Sequence, residues 1–227
     1  MPITLSNVSL EINGSSILSN LNLHLAEQRI GVIGANGSGK STFARLLNGL
    51  ILPTQGQISV NGLATAHARK LTLQKVGLVL QNPDHQIILP IVAEDLAFSL
   101  KARGFKKDEV QQKIDTILAL YELSHLKHHS TYTLSGGQKQ LLAIASVLIN
   151  APEIMVFDEP TTLLDHRNKK RIKQVIASLP QSVIVITHDF ELLDTFDRVI
   201  VLDAGKVVAD AAPQTAIDYY LECSHAD

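Results

Sequence analysis

The sequence is short of features that mark several large classes of protein. It has no tryptophan and one cysteine, Cys223, so an internal disulfide is excluded and a reducing compartment suits the chain. Twenty Lys and Arg residues stand against 22 Asp and Glu residues, and this near balance provides no positive field that would attract nucleic acid. We therefore expect no nucleic-acid partner.

Long apolar runs are also missing. The longest, Leu141 to Ile149, is far shorter than the roughly 20 residues that a membrane-spanning helix needs. The segment Met1 to Ile12 has neither a basic stretch nor a cleavage-like site. Because 45% of the 227 residues are hydrophobic, we expect a single ordered domain that does not cross a membrane by itself.

Apolar, β-branched segments recur along the chain with turns or helices between them. Five are typical of buried parallel strands, namely Ile30 to Ile33, Val76 to Leu80, Ile154 to Phe157, Val183 to Thr187 and Val199 to Leu202. Three earlier segments alternate apolar and polar residues, as antiparallel strands do, namely Ile3 to Ile12, Leu21 to Leu25 and Gln57 to Val60. Helical spacing dominates from Asp84 to Asn150.

This pattern predicts an α/β fold with three parts in one domain, 1–227. Residues 1–83 and 151–227 form a core with a parallel sheet, flanked by a small antiparallel β-subdomain. Residues 84–150 form an inserted helical subdomain.

A P-loop pattern follows the first predicted core strand. The segment Gly34 to Ser41 reads GANGSGKS, and a helix is predicted next, over Thr42 to Leu50. Glycines allow successive backbone N–H groups to surround a phosphate, while Lys40 neutralises its oxygens and the Ser41 hydroxyl binds Mg²⁺. Chance produces the pattern in about one chain of this length in a hundred. The residues predicted to bind ATP are Asn36, Gly37, Ser38, Gly39, Lys40, Ser41 and Thr42.

Two carboxylates end the strand Ile154 to Phe157. In a P-loop protein, an aspartate at the position of Asp158 holds Mg²⁺, and the adjacent Glu159 polarises the attacking water. Alone, the pair is only a solvated strand end. Together with the P-loop, it is predicted to be catalytic.

The segment Thr133 to Gln138 precedes an apolar-striped helix that we predict to begin near Gln138. Ser135, Gly136 and Gly137 offer a hydroxyl and accessible N–H groups at its N-terminus. The pentapeptide Leu134 to Gln138, LSGGQ, arises by chance in about one of several thousand chains. It resembles the signature motif of the ABC transporter ATPases, a family of P-loop enzymes with a RecA-like core.

The resemblance implies roles for three further residues. Gln81, after the Val76 to Leu80 strand, is similar in position to the family's Q-loop glutamine, which reaches Mg²⁺ and water. His188 resembles the switch histidine that contacts the γ-phosphate, and Asp165 resembles the D-loop residue at the dimer interface. Catalysis is thus expected from Lys40, Gln81, Glu159 and His188, with Mg²⁺ held by Ser41, Gln81 and Asp158.

The resemblance also implies the mechanism. In the family, each ATP lies between the P-loop of one protomer and the signature serine of the other, so two ATP molecules close a dimer and hydrolysis reopens it. With all motifs in one chain, we expect a second copy of this chain as the partner. Membrane proteins that respond to this motion would perform the transport.

Residues around Gln81 indicate a subgroup. The stretch Gln81 to Gln86, QNPDHQ, and the continuation Val92 to Phe98, VAEDLAF, resemble the ATPases of energy-coupling-factor (ECF) importers. That resemblance implies a transmembrane scaffold protein and a substrate-binding membrane protein at the cytoplasmic face of the cell membrane. We expect Gln86, Glu94 and Asp95 to line the groove for the scaffold's coupling helix. Biotin is the favoured cargo, with cobalt or nickel next.

The sequence departs from the family at one position. An aromatic residue that stacks on adenine commonly ends the first strand, and alignment places Ile12 there. We therefore expect nucleotide binding that is weaker or less selective for the base.

Three alternatives are open. A conventional importer fed by a solute-binding protein uses the same catalytic residues but does not explain Asp84 to Gln86. A cytosolic ABC ATPase acting on ribosomes or DNA usually has two cassettes, a long coiled coil or basic patches, and this chain shows none of these. A catalytically inactive binding module is disfavoured by the presence of Lys40, Asp158, Glu159 and His188.

Overall fold

The computed structural model describes residues 2–224. The strands are β1 (Ile3–Ile12), β2 (Ser15–Leu25), β3 (Arg29–Ile33), β4 (Gln55–Val60), β5 (Leu63–Ala64), β6 (Val76–Val79), β7 (Ile154–Asp158), β8 (Ser182–Ile186), β9 (Arg198–Asp203) and β10 (Lys206–Ala211). The helices are α1 (Lys40–Asn48), α2 (Arg69–Lys75), α3 (Val92–Ala102), α4 (Lys107–Leu120), α5 (Gly136–Leu148), α6 (His166–Ser178) and α7 (Pro213–Ser224). Short 3₁₀ turns cover Pro83–His85, Ser124–Leu126, Thr131–Thr133 and Phe190–Leu192.

The larger sheet has six strands in the order β10-β9-β3-β8-β7-β6. Every pair from β9 to β6 is parallel, so the five predicted core strands form one parallel sheet. Their side chains alternate between two apolar cores, one facing α1 and the smaller sheet, the other facing α5, α6 and α7. Burial on both faces explains why these strands are continuously apolar. The antiparallel edge strand β10 was not predicted from the sequence.

The smaller sheet is antiparallel, in the order β2-β1-β4-β5. Alternate residues, such as Ile3 and Leu5 of β1 and Leu21 and Leu23 of β2, lie in the core, and the residues between them reach solvent. The predicted α/β fold with a parallel sheet and a flanking antiparallel sheet is therefore confirmed.

Helices α3, α4 and α5 pack together through buried side chains such as Leu96, Leu118 and Ile144. The helical region begins later than predicted, because Asp84 lies in a 3₁₀ turn and α3 starts at Val92. Helix α5 starts at Gly136 rather than near Gln138, since Ser135 is its N-cap. The division of the chain at residues 84 and 150 stays a prediction.

Between residues 2 and 224, no helix has both the length and the apolar character needed to cross a bilayer.

Candidate functional site

Four adjacent strands of the larger sheet bring the predicted catalytic residues to one edge. The P-loop follows β3, His188 follows β8, Asp158 and Glu159 end β7, and Gln81 follows β6. Because the strands are parallel, their carboxyl ends meet at the same edge, which is where ligands bind in such sheets. The tertiary structure thus assembles residues that are as far apart in sequence as 34 and 188.

The P-loop needs glycine at two positions for a steric reason. Gly39, the N-cap of α1, has φ of 97°, and an added Cβ would lie 2.7 Å from Leu18 Cδ2. At Gly34 an added Cβ would lie 2.0 Å from the backbone oxygen of Leu202. Side chains at these positions would therefore push the loop away from the strands beneath it.

Helix α1 has no side-chain cap, so the N–H groups of its first turn stay available at the end of the loop. Lys40 lies just inside the helix and is only 7% exposed. Its Nζ donates hydrogen bonds to the carbonyl oxygens of Gly34, at 2.7 Å, and Ala35, at 2.9 Å. Burial lowers the pKa of Lys40, and the nearby carboxylates Glu159 and Asp158 oppose this shift. The ammonium group therefore lies within the loop that is predicted to hold phosphate.

Ser41 and Asp158 are joined directly. Ser41 Oγ donates a hydrogen bond of 3.0 Å to Asp158 Oδ1. Burial raises the pKa of Asp158, whereas the hydrogen bond from Ser41 lowers it. A hydroxyl and a carboxylate at this spacing are oxygen ligands of the kind that Mg²⁺ prefers. Two further buried oxygens, Ser38 Oγ and Glu159 Oε1, have no hydrogen-bond partner among residues 2–224, which also suits a bound ligand or ion.

Glu159 is held by its neighbours in an uncommon backbone conformation, with φ of 50°. Its Oε2 accepts hydrogen bonds from Thr162 Oγ1, at 2.9 Å, and from the backbone N–H of His188, at 3.4 Å. His188 Nε2 lies 3.1 Å from Glu159 Oε1, but without the orientation of a hydrogen bond, so this oxygen keeps a free lone pair. A free, buried carboxylate oxygen beside an imidazole is suited to activating water.

A cleft of about 500 Å³ opens at this edge of the sheet. Its lining includes the predicted residues Asn36, Gly37, Gly39, Lys40, Ser41, Thr42, Gln81, Glu159 and His188. Two further lining residues, Ile17 and Thr162, were missed, because neither belongs to a sequence pattern. No described residue that lines the cleft is aromatic. Ile12, which was aligned with the adenine-stacking position, lies outside the lining and is 42% exposed.

The predicted signature residues are not part of this cleft. Leu134 is buried, and Ser135 and Gln138 cap α5 reciprocally: Ser135 N–H donates to Gln138 Oε1 at 2.9 Å, and Gln138 N–H donates to Ser135 Oγ at 3.4 Å. Gly136 has no atom near an added Cβ, so its surface is open. Within one chain, the P-loop and the signature segment thus form separate surfaces.

Asp165 is the N-cap of α6. Its carboxylate caps that helix by accepting from the N–H of Asn168, at 2.8 Å, and from Asn168 Nδ2, at 3.0 Å. These hydrogen bonds from Asn168, the backbone one first, lower the pKa of Asp165. The amide of Asn168 lies against Gly137, where an added Cβ would be 2.1 Å from Asn168 Oδ1. Glycine at position 137 is therefore required for α6 to approach α5.

The structure corrects the expectation for one of the three groove residues. Asp95 is buried, and its Oδ1 accepts from the N–H groups of Ile88, at 2.8 Å, and Leu89, at 3.0 Å, so it holds the loop and offers no surface charge. Gln86 lines an apolar groove together with Leu50, Leu73 and Phe98. Its amide accepts from Leu80 N–H and donates to the carbonyl oxygen of Ala143. Both residues fix the segment after β6 in place. Glu94, by contrast, is exposed.

Comparison with known proteins matches residues 18–162 to the family described as ABC transporter. A putative ABC transporter ATP-binding protein of Deinococcus radiodurans is 53% identical over 220 residues, covering 97% of both chains. The biotin transport ATP-binding protein BioM of Rhizobium etli is 45% identical, covering 95% of this chain and 98% of its own. The energy-coupling factor transporter ATP-binding protein EcfA of Syntrophomonas wolfei is 43% identical, covering 87% and 75%.

Solved structures show the same fold. The chain is similar to CbiO1 of Clostridium perfringens, part of the ABC transporter complex CbiONQ, with a TM-score of 0.84, 28% identity, and coverage of 96% of this chain and 92% of that one. It is also similar to a dimeric ATP-binding cassette in a post-hydrolysis state bound to ADP and Pi, with a TM-score of 0.83, 28% identity, and coverage of 93% and 98%.

Proposed function

Since the chain belongs to the ABC transporter family of ATP-binding proteins, we propose that it is the ATP-hydrolysing subunit of an energy-coupling-factor importer. The family match confirms the predicted ABC-type ATPase, and the similarity to EcfA and BioM confirms the predicted subgroup resemblance. The observation that supports hydrolysis in this chain is the assembly of the P-loop, Gln81, Asp158, Glu159 and His188 at one edge of the sheet.

Each residue has a distinct task in the proposed reaction. The P-loop N–H groups and Lys40 hold the β- and γ-phosphates, and Ser41, Asp158 and Gln81 would hold Mg²⁺. When bound, this ion neutralises charge on the phosphate oxygens. Glu159 orients and polarises the attacking water through its free Oε1, and His188 lies beside it to contact the γ-phosphate.

The separation of the cleft from the signature segment supports action as a dimer. Ser135 lies outside the cleft of its own chain, so it would complete the site of a second copy. The related cassette bound to ADP and Pi is dimeric. ATP binding would close this homodimer, and hydrolysis would reopen it.

Relatives support the choice of transport system. BioM is named for biotin transport and EcfA for the energy-coupling factor. Biotin is therefore the favoured cargo, and cobalt or nickel come next from the subgroup resemblance of the sequence. The proposed partners are a transmembrane scaffold protein and a substrate-binding membrane protein. The chain would then lie peripherally at the cytoplasmic face of the membrane.

An apolar groove of about 510 Å³ is the proposed docking site for the scaffold. Leu50, Leu73 and Phe98 line it and are 45%, 39% and 51% exposed, so a large apolar surface is uncovered. Exposed Glu94 lies one helical turn before Phe98 on the same face of α3. An apolar groove with an acidic neighbour suits a basic, amphipathic helix.

Glu159→Gln tests the proposed catalysis. We expect turnover to fall by about 10² to 10⁴, because the amide cannot accept a proton from water. ATP should still bind, and the variant should accumulate as an ATP-bound dimer in size-exclusion chromatography. Glu153→Gln, outside the cleft, is the matched control. A Glu159→Gln variant that hydrolyses ATP at the parental rate would remove Glu159 from its role.

Glu94→Lys tests the proposed docking groove. We expect loss of the co-purifying membrane proteins in a detergent pull-down, with unchanged ATP affinity, whereas Asp108→Lys on α4 should retain them. An intact complex with Glu94→Lys would contradict the docking site. In the same pull-down, a pair of permeases with an exported solute-binding protein would instead assign the chain to the conventional importers.

A further inference from the structure

A second cleft adjoins the proposed nucleotide cleft. It has a volume of about 810 Å³ and lies between α6 and the turn after β8. Glu159, Thr162 and His188 line both clefts. The two spaces therefore meet at the residues that would surround the γ-phosphate.

The wall formed by α6 is strongly cationic. Lys169, Lys170 and Lys173 all line the second cleft. Lys173 is neutralised by ion pairs with Asp189, at 3.0 Å, and Glu191, at 2.9 Å. The side chains of Lys169 and Lys170 have no hydrogen-bonded or ionic partner among the residues that the structure describes.

Lys169 is half-buried in the wall of the cleft, and no counter-ion lies beside it among the described residues. Such a group is stabilised by an anion that enters the cleft. The basic residues of α6 belong to none of the sequence motifs, so their role was not predicted.

We propose that this second cleft is an oxyanion site that receives inorganic phosphate from the hydrolytic site. The proposal rests on the assignment of Glu159 and His188 to that hydrolytic site. After hydrolysis, ADP and phosphate are both negative and lie beside the Glu159 carboxylate. The two unpaired lysines on the far side of the shared wall attract the phosphate away from ADP, with no bond made or broken.

Phosphate fits this position better than a nucleotide does. Under the proposed function the shared residues would lie beside the γ-phosphate, so phosphate is the product released next to the second cleft. Asp189 and Glu191, on the turn after β8, pair with Lys173, so the lysines of this cleft without an acidic partner among the described residues are Lys169 and Lys170. A small anion can use this local charge without approaching the carboxylates.

The test is a titration of inorganic phosphate into the ADP-saturated full chain, followed by calorimetry. In the double variant Lys169→Gln, Lys170→Gln, we expect the dissociation constant for phosphate to rise by up to about fivefold, because two weak ionic contacts are lost. The control is Lys107→Gln, Lys206→Gln, which removes the same charge from exposed lysines elsewhere. Equal phosphate affinity in the two variants would overturn the site.

A second measurement separates phosphate made by the enzyme from phosphate supplied in solution. A fluorescent phosphate sensor should report slower phosphate release after a single turnover in the Lys169, Lys170 variant than in the control. Weaker binding with unchanged release would overturn the role in product release and leave a site for phosphate from solution. Calorimetry does not require hydrolysis, so its result stands even if the proposed catalysis fails.

Discussion

Two helices of this molecule begin with glycine-containing loops, and their N-termini are in different states. Helix α1 follows Gly39, has no side-chain cap, and presents free N–H groups to the cleft. Helix α5 follows Ser135, and its capping box with Gln138 already uses an N–H group and both side chains. A helix N-terminus binds an anion only through donors that are not otherwise satisfied. The start of α1 therefore has no side-chain hydrogen bond to its N–H groups, whereas at the start of α5 the Gln138 N–H and the Ser135 hydroxyl are already bonded to each other.

Replacing a glycine at the start of each helix should give the largest difference in ATP affinity between variants of α1 and variants of α5. Gly39→Ala combines a positive φ with contact to Leu18, at a cost of about 1–3 kcal/mol in strain, and we expect ATP affinity to fall by about tenfold or more. Gly136→Ala meets no neighbouring atom and should leave ATP binding by the monomer within about twofold. Fluorescence titration with ATP measures both. Equal losses would show that the two termini do not differ as described.

Adding an aromatic residue near the P-loop cleft should give the next largest effect. Ile12→Tyr introduces an aromatic at the position that was aligned, from the sequence, with an adenine-stacking residue, and stacking contributes about 1–3 kcal/mol per base. We expect Ile12→Tyr to lower the dissociation constant for ATP by about fivefold or more, and to increase the ratio of GTP to ATP dissociation constants. Ile17→Tyr is the companion variant, because Ile17 lines the cleft and Ile12 does not. If Ile12→Tyr binds ATP no more tightly than the parent, the missing-aromatic hypothesis is wrong.

Removing the N-cap of α5 tests the second of the two helix starts. Ser135→Ala loses the hydroxyl that accepts from Gln138 N–H, so the free energy of unfolding should fall by about 1 kcal/mol. ATP binding by the monomer should not change, but hydrolysis should fall because the second copy loses its serine. Ser124→Ala is the control, since its hydroxyl caps no helix. Thermal unfolding and ATPase rates measure the two effects, and a loss of monomer ATP affinity in Ser135→Ala would contradict the separation of the sites.

The smallest effect concerns the charge beneath α1. Burial raises the pKa of Asp158, so the folded chain holds the protonated form better than the unfolded chain does. That stabilising contribution is complete below the unfolded pKa of about 4 and is lost as the pH rises through the folded pKa. Asp158→Asn resembles the protonated form, so without nucleotide at pH 7 it should melt a few degrees higher, about 2–4 °C per kcal/mol.

The advantage of Asp158→Asn should shrink as the pH falls towards about 4, where the parental carboxyl is itself protonated. Ser41→Ala contrasts with Asp158→Asn because it keeps the carboxylate of Asp158 but removes the hydrogen-bond donor that stabilises it. If Asp158→Asn is less stable than the parent at pH 7, interactions within the folded chain stabilise the buried Asp158 carboxylate, and the prediction is wrong.

Much of the candidate site was predictable because it depends on local patterns. The P-loop, Asp158, Glu159 and His188 each follow an apolar strand, and parallel strands necessarily bring their ends together. The role of Asp95 was not predicted correctly, since an acidic residue looks the same in sequence whether it binds a partner or its own backbone. Its hydrogen bonds from Ile88 and Leu89 decide that question.

The family, most strands and helices, and the residues that carry the chemistry were predictable from the sequence, because they depend on short-range periodicity and on motif spacing. The surfaces that these residues share were not predictable, because they depend on tertiary packing. Thr162 donates a hydrogen bond to Glu159, and Asn168 lies against Gly137. Lys169 and Lys170 of α6 line one cleft together with Glu159 and His188. Such contacts join residues whose positions are set by packing across the sheet, and no local pattern encodes that packing.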